Sequence, residues 1–495
     1  MRARLSLSLG SALAAVLLAA SALPAAAQAT QEEAARLQAI GETYFGKAPA
    51  GEPAVVKVVP EADHYRASVD FALLIRRLLA YAPAEEAKKI AFEWDPVSLA
   101  LGPRGDGTWR VWDYRIPKLV ADIEGQRTEL LTEGIDFETI FDPATGASPS
   151  MKGRFGKVSA TSTIKKPGEA VTVSSESTSS DVSVQGSSRT TAMPGVLDVA
   201  AHQSTGSMVY AVALAGGMAA GIPDMRIALN GGRQDNVVGI RGLRNSALLD
   251  LWAHLVAHHE PEDFTTRQGA LKAKLAAAMP VFEAITQKVE GKDFSLESPF
   301  VVAKAEKAAI DLDLAGLTRE GRFGMAMGVT GFQAWSLFMP KWANKLVPRD
   351  FALAGHVSGY DLATPISVFL DSADFSAKKP LSDEQEAKVA ALFLPRGAVE
   401  VVLDGNRLIG QLYDLSLDGR LSAGPAGAKG AITVKARGLD KVAELLTGPD
   451  ADEQARTLAA TIAFARSMAD RRGHALVWRF ASDGDAVAVT GKPLK

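Results

Sequence analysis

Residues 172–188 read "TVSSESTSSDVSVQGSS". Valine recurs in steps of two at Val171 and Val173 and again at Val182 and Val184, and the other positions are mostly Ser, Thr or Asp. A flexible Ser/Thr linker has the same composition but no reason to keep valines in step. Successive side chains of a strand point to opposite faces, so the spacing predicts strands over 158–192 with one face buried and one wet.

The same reading extends in both directions. "GVLDVAAHQ" (195–203), "MVYAVALAG" (208–216) and "MRIALNGG" (225–232) continue the strands. Upstream lie "AVVKVVP" (54–60) and "TWRVWDYRI" (108–116), the second with apolar groups on both faces and the hairpin turn "RGDGT" before it. Downstream, "AAIDLDLAGLTREGRFGMAMGVTG" (308–331) returns to strands. "VEVVLDGNRLIGQLYDLSLDGRLSAG" (399–424) reads as a meander turning at Asp404-Gly405 and Asp418-Gly419. A last hairpin, within 474–494, turns at Asp483-Gly484.

Helical periodicity interrupts these strands. Thr30 caps a helix to Phe45 with Ala34, Leu37, Ile40 and Tyr44 on one side. Ser246 to His259 reads as a helix capped by Ser246, burying Leu248, Leu249, Leu251, Trp252, Leu255 and Val256. Thr265 to Val289 reads as a second, bent or broken at Pro280. Ser382 to Gln385 forms a capping box for a helix to about Phe393, and Asp452 to Arg472 reads as a long amphipathic helix. Four segments repeat one idea, a strand running through a short turn into a helix: 68–81, 239–252, 357–371 and 435–448. Two of them share Arg-Gly-Leu, and "MKGRFG" (151–156) echoes "REGRFG" (319–324). The expected class is α+β and β-dominated, with long antiparallel strands and four or five amphipathic helices at strand ends or covering one face. Residues 28–230 are expected as an N-terminal β-rich region, 231–300 as a helical insertion and 301–495 as a C-terminal β-meander region with helices. That last region either stands apart or continues the first sheet.

The opening "MRARLSLSLGSALAAVLLAASALPAAAQAT" (1–30) has Arg2 and Arg4, an uncharged run from Leu5 to Leu23, and Pro24 before three alanines. This is the pattern of a cleaved secretory signal peptide, residues 1–27, and it predicts a periplasmic protein. No later apolar run is long enough to span a membrane. The chain has no Cys, and its net charge of −3 argues against nucleic acid.

Catalytic signals are weak. His254 and His258 stand four apart on a helix and reach one metal in principle, with Glu260 or Asp263 as third ligand. Leu255, however, occupies the place of a zinc protease's general base. No nucleophile elbow, phosphate loop or dinucleotide fingerprint has a supporting context. The reading takes no enzyme, no metal and no cofactor. "GFQAWSLFMPKWANKLVPRDF" (331–351) has two readings: a core helix broken at Pro340, or an apolar floor with a cationic rim. On the second reading Trp335, Phe338, Met339 and Trp342 are the candidate ligand-binding residues.

The C-terminal third resembles a group of periplasmic proteins, relatives of the YdgA-like and AsmA-like envelope proteins of Gram-negative bacteria. Three segments carry the resemblance: "KLVPRDFALAGHVSGYDLATP" (345–365), the stretch 399–446, and the terminal hairpin ending "VAVTGKPL" (487–494). The resemblance implies a long, curved antiparallel sheet with an apolar inner face and a tie to envelope or lipid homeostasis. AsmA-like proteins usually keep an N-terminal membrane anchor, which this chain is expected to lose. Two functions follow as expectations. One is a non-enzymatic envelope protein binding a lipid or other amphiphile on the apolar sheet face. The other is an envelope scaffold or assembly factor holding a protein partner.

Overall fold

The computed structural model describes residues 28–79, 85, 88–165, 171–216, 224–258, 266–377, 379–425, 427–484, 487–489 and 492–493. The expected leader at 1–27 lies outside them. The fold is β-dominated α+β, and the strands pair antiparallel. It forms two compact units. Unit 1 takes residues up to Arg226, then Asp235–Ala284 and Ser367–Glu386; unit 2 takes Ile227–Gln234, Ile285–Ile366 and Ala387–Lys495.

Unit 1 begins with helix α1 (Gln31–Phe45), where the Thr30 hydroxyl accepts the Glu33 N–H at 3.2 Å, as the sequence predicts. Strands β1 (Val56–Glu61) and β2 (His64–Val69) form a hairpin, and helix α2 (Phe71–Leu79) follows. Strands β3 (Ile90–Trp94), β4 (Val97–Pro103), β5 (Trp109–Arg115) and β6 (Leu119–Ile123) are short. Then come three long ones: β7 (Gln126–Asp142), β8 (Ala147–Lys165) and β9 (Thr172–Thr190). The segment that reads "TVSSESTSSDVSVQGSS" is thus the interior of a 19-residue strand.

The long strands are paired by halves. On one side β6 pairs the first half of β7 and β5 its end. On the other side β11 (Ser207–Ala215) pairs the first half of β9, and β10 (Leu197–Thr205) the second. The halves meet at a row across four strands, Gly134–Gly156–Asp181–Gly206. Gly134 has φ +64° and Asp181 φ +52°, so the backbone turns there and the more covered side of β7 changes from half-buried even positions to buried odd ones. Beyond the row Phe137, Phe141, Phe155, Val182 and Val184 face a core that includes Leu37, Val56, Leu99 and Trp109. Each large side chain fully buried there contributes about 2 kcal/mol.

Strand β12 (Met225–Gly231) falls mainly in unit 2, and β13 (Gln234–Leu243) returns to unit 1 beside β10. The helical segment expected over 231–300 comprises α3 (Asn245–Ala257) and α4 (Gln268–Ala278). Helix α3 starts one residue before Ser246, and its six apolar residues are half-buried or exposed rather than buried. The Trp252 indole instead donates to the Tyr44 carbonyl at 2.8 Å. The stretch beyond Pro280 is not helix. Its alternating "AITQKVEGKDFSLE" forms strand β14 (Ala284–Glu297).

Unit 2 is a meander. β15 (Val301–Ala315) pairs with β16 (Gly321–Thr330) and with the short β17 (Gln333–Ser336). After helix α5 (Lys341–Asn344), β18 (Pro348–Tyr360) pairs with β16. Helices α6 (Ala363–Ser372) and α7 (Asp383–Leu392) follow, the latter with the expected capping box: the Ser382 hydroxyl accepts the Gln385 N–H, and the Gln385 side chain accepts the Ser382 N–H. The order then runs β18, β19 (Val399–Gly410), β20 (Asp414–Gly424) and β21 (Gly427–Arg437). After α8 (Leu439–Thr447), α9 (Glu453–Ser467) and β22 (Asp470–Arg472), β23 (Ala475–Asp483) pairs with β21. β24 (Val487–Val489) and β25 (Lys492–Pro493) close the sheet. Nine helices stand among the described residues, more than the four or five expected, because short helices fill several connections; the long helix read to Arg472 ends at Ser467.

The two Asp-Gly pairs of the meander are not turns. Gly405 has φ +72° inside β19 and makes a bulge, its N–H donating to the Asp418 carboxylate, and Asp418-Gly419 lies within β20. The chain turns instead at Gln411–Tyr413, closed by the Gly410 N–H to the Tyr413 carbonyl.

Candidate functional site

In an antiparallel sheet, directly opposed residues point to the same face. The register of unit 2 therefore sorts its side chains. One row reads Leu312, Met325, Gly355, Leu403, Gly419, Ile432 and Phe480 across seven strands. The next reads Leu314, Phe323, Val357, Val401 and Leu421. On the other side of the first stand Ile310, Met327 and Leu353, with Leu417, Val434 and Trp478 beyond the bulge. This face carries no charge in these rows. The reverse face carries Asp313 with Arg322, Glu400 with Arg420, and Asp418 with Lys435.

Among the described residues, one corner of the apolar face is covered. Ala436, Trp478 and Val489 are buried there against Ala465 and Met468 at the end of α9 and Leu439 of α8. The Trp478 indole donates to the Ala465 carbonyl at 2.7 Å. Over β15, β16 and β18 no such cover exists among the described residues: Leu353 is 51% exposed, Met325 44%, Phe323 43% and Ile310 40%. Scattered apolar residues on a surface are ordinary, but a contiguous patch of long side chains on neighbouring strands is not.

The four residues expected to bind a ligand do not form one site in the way the sequence suggests. The core-helix reading of 331–351 is replaced by a strand, β17, and the single turn α5. Trp335, opposite Val302 on β15, is 51% exposed, and Phe338 is 74% exposed with its ring 5.6 Å from that of Phe300. Met339 is half-buried. Trp342 leaves this group: it packs with Leu346, Tyr413, Val442 and Leu446, and its indole donates to the Asp452 carboxylate at 3.1 Å. Asp452 also caps α9 by accepting the Ala455 N–H at 2.8 Å. That bond first, and the Trp342 bond second, hold its carboxyl below the usual range.

No protein family, curated protein or solved structure matches the chain. The site rests on geometry alone.

The His254 and His258 rings lie 4.7 Å apart, while Glu260 and Asp263 fall outside the described residues. Among the described residues no group of three His, Asp or Glu side chains could hold a metal ion. No helix among them is long and apolar enough to cross a membrane. The exposed residues Ile310, Phe323, Met325 and Leu353 were missed in the sequence. A signal was there, because "RFGMAMGV" and "FALAGHV" alternate, but only the register shows that their apolar positions share a face.

Proposed function

We propose that the protein is a non-enzymatic component of the periplasmic cell envelope that holds a lipid-like amphiphile against the open apolar face of unit 2. The observation that carries this reading is the set of apolar cross-strand rows left exposed over β15, β16 and β18, flanked on β15 by Lys304 and Glu306. Burying a 16-carbon chain completely would release about 12 kcal/mol gross at ~0.8 kcal/mol per CH₂. A chain lying on an open face buries one side, so roughly half of that opposes the cost of ordering it. Trp335 and Phe338 add further exposed aromatic surface in the same unit. The envelope setting rests on the secretory pattern of residues 1–27 and on the resemblance of the C-terminal third to the YdgA-like and AsmA-like group.

The test is titration with a fluorescent 16-carbon fatty acid, together with native mass spectrometry of protein purified from periplasm. Saturable binding and co-purified lipid are expected. The double substitution Phe323→Glu, Met325→Glu should weaken binding at least tenfold, because each carboxylate would sit under the acyl chain without a partner. Unchanged binding in that variant would remove the apolar face as the site. A scaffold role would show instead as no lipid uptake and capture of an envelope protein that the same double substitution abolishes.

A further inference from the structure

On the reverse, polar side of unit 2 a cavity of about 860 Å³ opens at the sheet end. Five cationic side chains line it, Arg319, Arg322, Arg396, Arg420 and Lys429, against two carboxylates, Glu320 and Glu400. They come from four stretches of the chain, residues 319–322, 396–400, 420 and 429. The floor is one cross-strand row, Arg322–Ser358–Glu400–Ser422–Lys429, spanning five strands and continued by Asp483 on β23. The wall is the loop after α7, which carries Arg396; Gly424 lets it approach, since a Cβ there would lie 2.2 Å from the Gly397 carbonyl. Small residues at Gly321, Gly359, Gly430 and Ala431 keep the cavity deep.

The charges are unequally spent. Arg420 pairs with Glu400 at 3.1 Å and Arg322 with Asp313 at 3.1 Å. Arg319 and Arg396 have no ion pair among the described residues; Lys429 stands directly opposite Asp483 on the neighbouring strand, and Glu320 is the other carboxylate beside them. Like charges gathered in a concavity raise the local potential and attract an anion. Guanidinium forks and an ammonium suit phosphate oxygens, and the Ser358 and Ser422 hydroxyls add neutral donors.

We propose that this cavity binds a phosphate-bearing ligand through Arg319, Arg396 and Lys429. The volume suits a whole phosphate ester rather than a bare ion. The phosphate belongs either to a free soluble ester or to an anionic lipid headgroup. Because the cavity lies on the face opposite the apolar rows, it stands or falls independently of acyl-chain binding.

The test uses the full chain at low salt, with glucose 1-phosphate and pyrophosphate in calorimetry, and with phosphatidylglycerol and phosphatidylcholine vesicles in flotation. The triple variant Arg319→Gln, Arg396→Gln, Lys429→Gln is compared with Lys388→Gln, Lys441→Gln, Arg456→Gln, which removes the same charge elsewhere in unit 2. All six side chains are exposed, so both variants should melt with the wild type. Saturable binding of a soluble ester, or of phosphatidylglycerol over phosphatidylcholine, is expected, at least tenfold weaker in the cavity variant and within twofold in the control. Soluble binding identifies a free ester, and vesicle binding alone identifies a headgroup. Absence of both, or equal loss in the two variants, would overturn the proposal.

Discussion

At the residue scale, Trp335 and Trp342 are seven positions apart and do opposite things. Trp335 is half exposed, so Trp335→Ala should change stability by less than about 0.5 kcal/mol. Trp342 sits among α8, α9 and Tyr413, so Trp342→Ala should cost about 2–3 kcal/mol in urea unfolding. Equal effects would show that the two share one environment after all. The Trp342–Asp452 bond also predicts a pH response. The folded Asp452 carboxyl is held below its ordinary range, so its contribution is complete above that range and is lost as pH falls through the folded value. Trp342 fluorescence should shift to the red below about pH 4, and Asp452→Asn should remove the transition. Nothing in the spelling "AWSLFMPKWANK" (334–345) separates the two tryptophans. Which indole is covered depends on α8 and α9, about a hundred residues later.

At the element scale, the strand-to-helix junctions were legible because they make a chemical demand. Gly242, Gly359 and Gly438 have φ of +68°, +86° and +77° at the ends of β13, β18 and β21, where only glycine sits without strain. A Cβ on Gly438 would lie 2.0 Å from the Leu412 carbonyl oxygen. Gly438→Ala should therefore cost about 2–5 kcal/mol, the left-handed conformation plus a clash with backbone. Gly397→Ala, with similar φ and open space, should cost only about 1–2 kcal/mol. The Asp-Gly pairs of the meander misled for the same reason: a bulge and a hairpin turn both ask for positive φ, and the pair does not say which. Asn406 resolves it in the fold. Buried beside the bulge, it accepts the Ala354 N–H at 2.8 Å and donates to the Ala354 carbonyl at 2.9 Å, replacing the strand partner the bulge removes. Asn406→Leu should cost about 2–5 kcal/mol by leaving both groups unpaired, and hydrogen exchange at Ala354 should quicken most.

At the scale of the whole molecule, the secretory reading predicts that protein recovered from periplasm has lost residues 1–27, which intact mass will show; full-length chain in the membrane fraction would contradict it. The division into two units was less legible than the strands, since it does not follow chain order. Residues Ser367–Glu386 belong to unit 1 although unit 2 contributes the chain on both sides of them. Within unit 1 the Gln268 side chain donates to Asp374 and accepts the Phe375 N–H, and Leu370 and Leu381 are buried. A ribosome delivers the chain from its N-terminus, and on the secretory reading an export channel would do the same. Unit 1 thus cannot close when Ala284 emerges; it waits for a piece made long afterwards. Until then its unfinished surface is open to neighbours, so a chaperone that holds the chain during passage would matter most in this interval. A stop placed before Ser367 should yield a product cleared by proteases, not a shorter working protein.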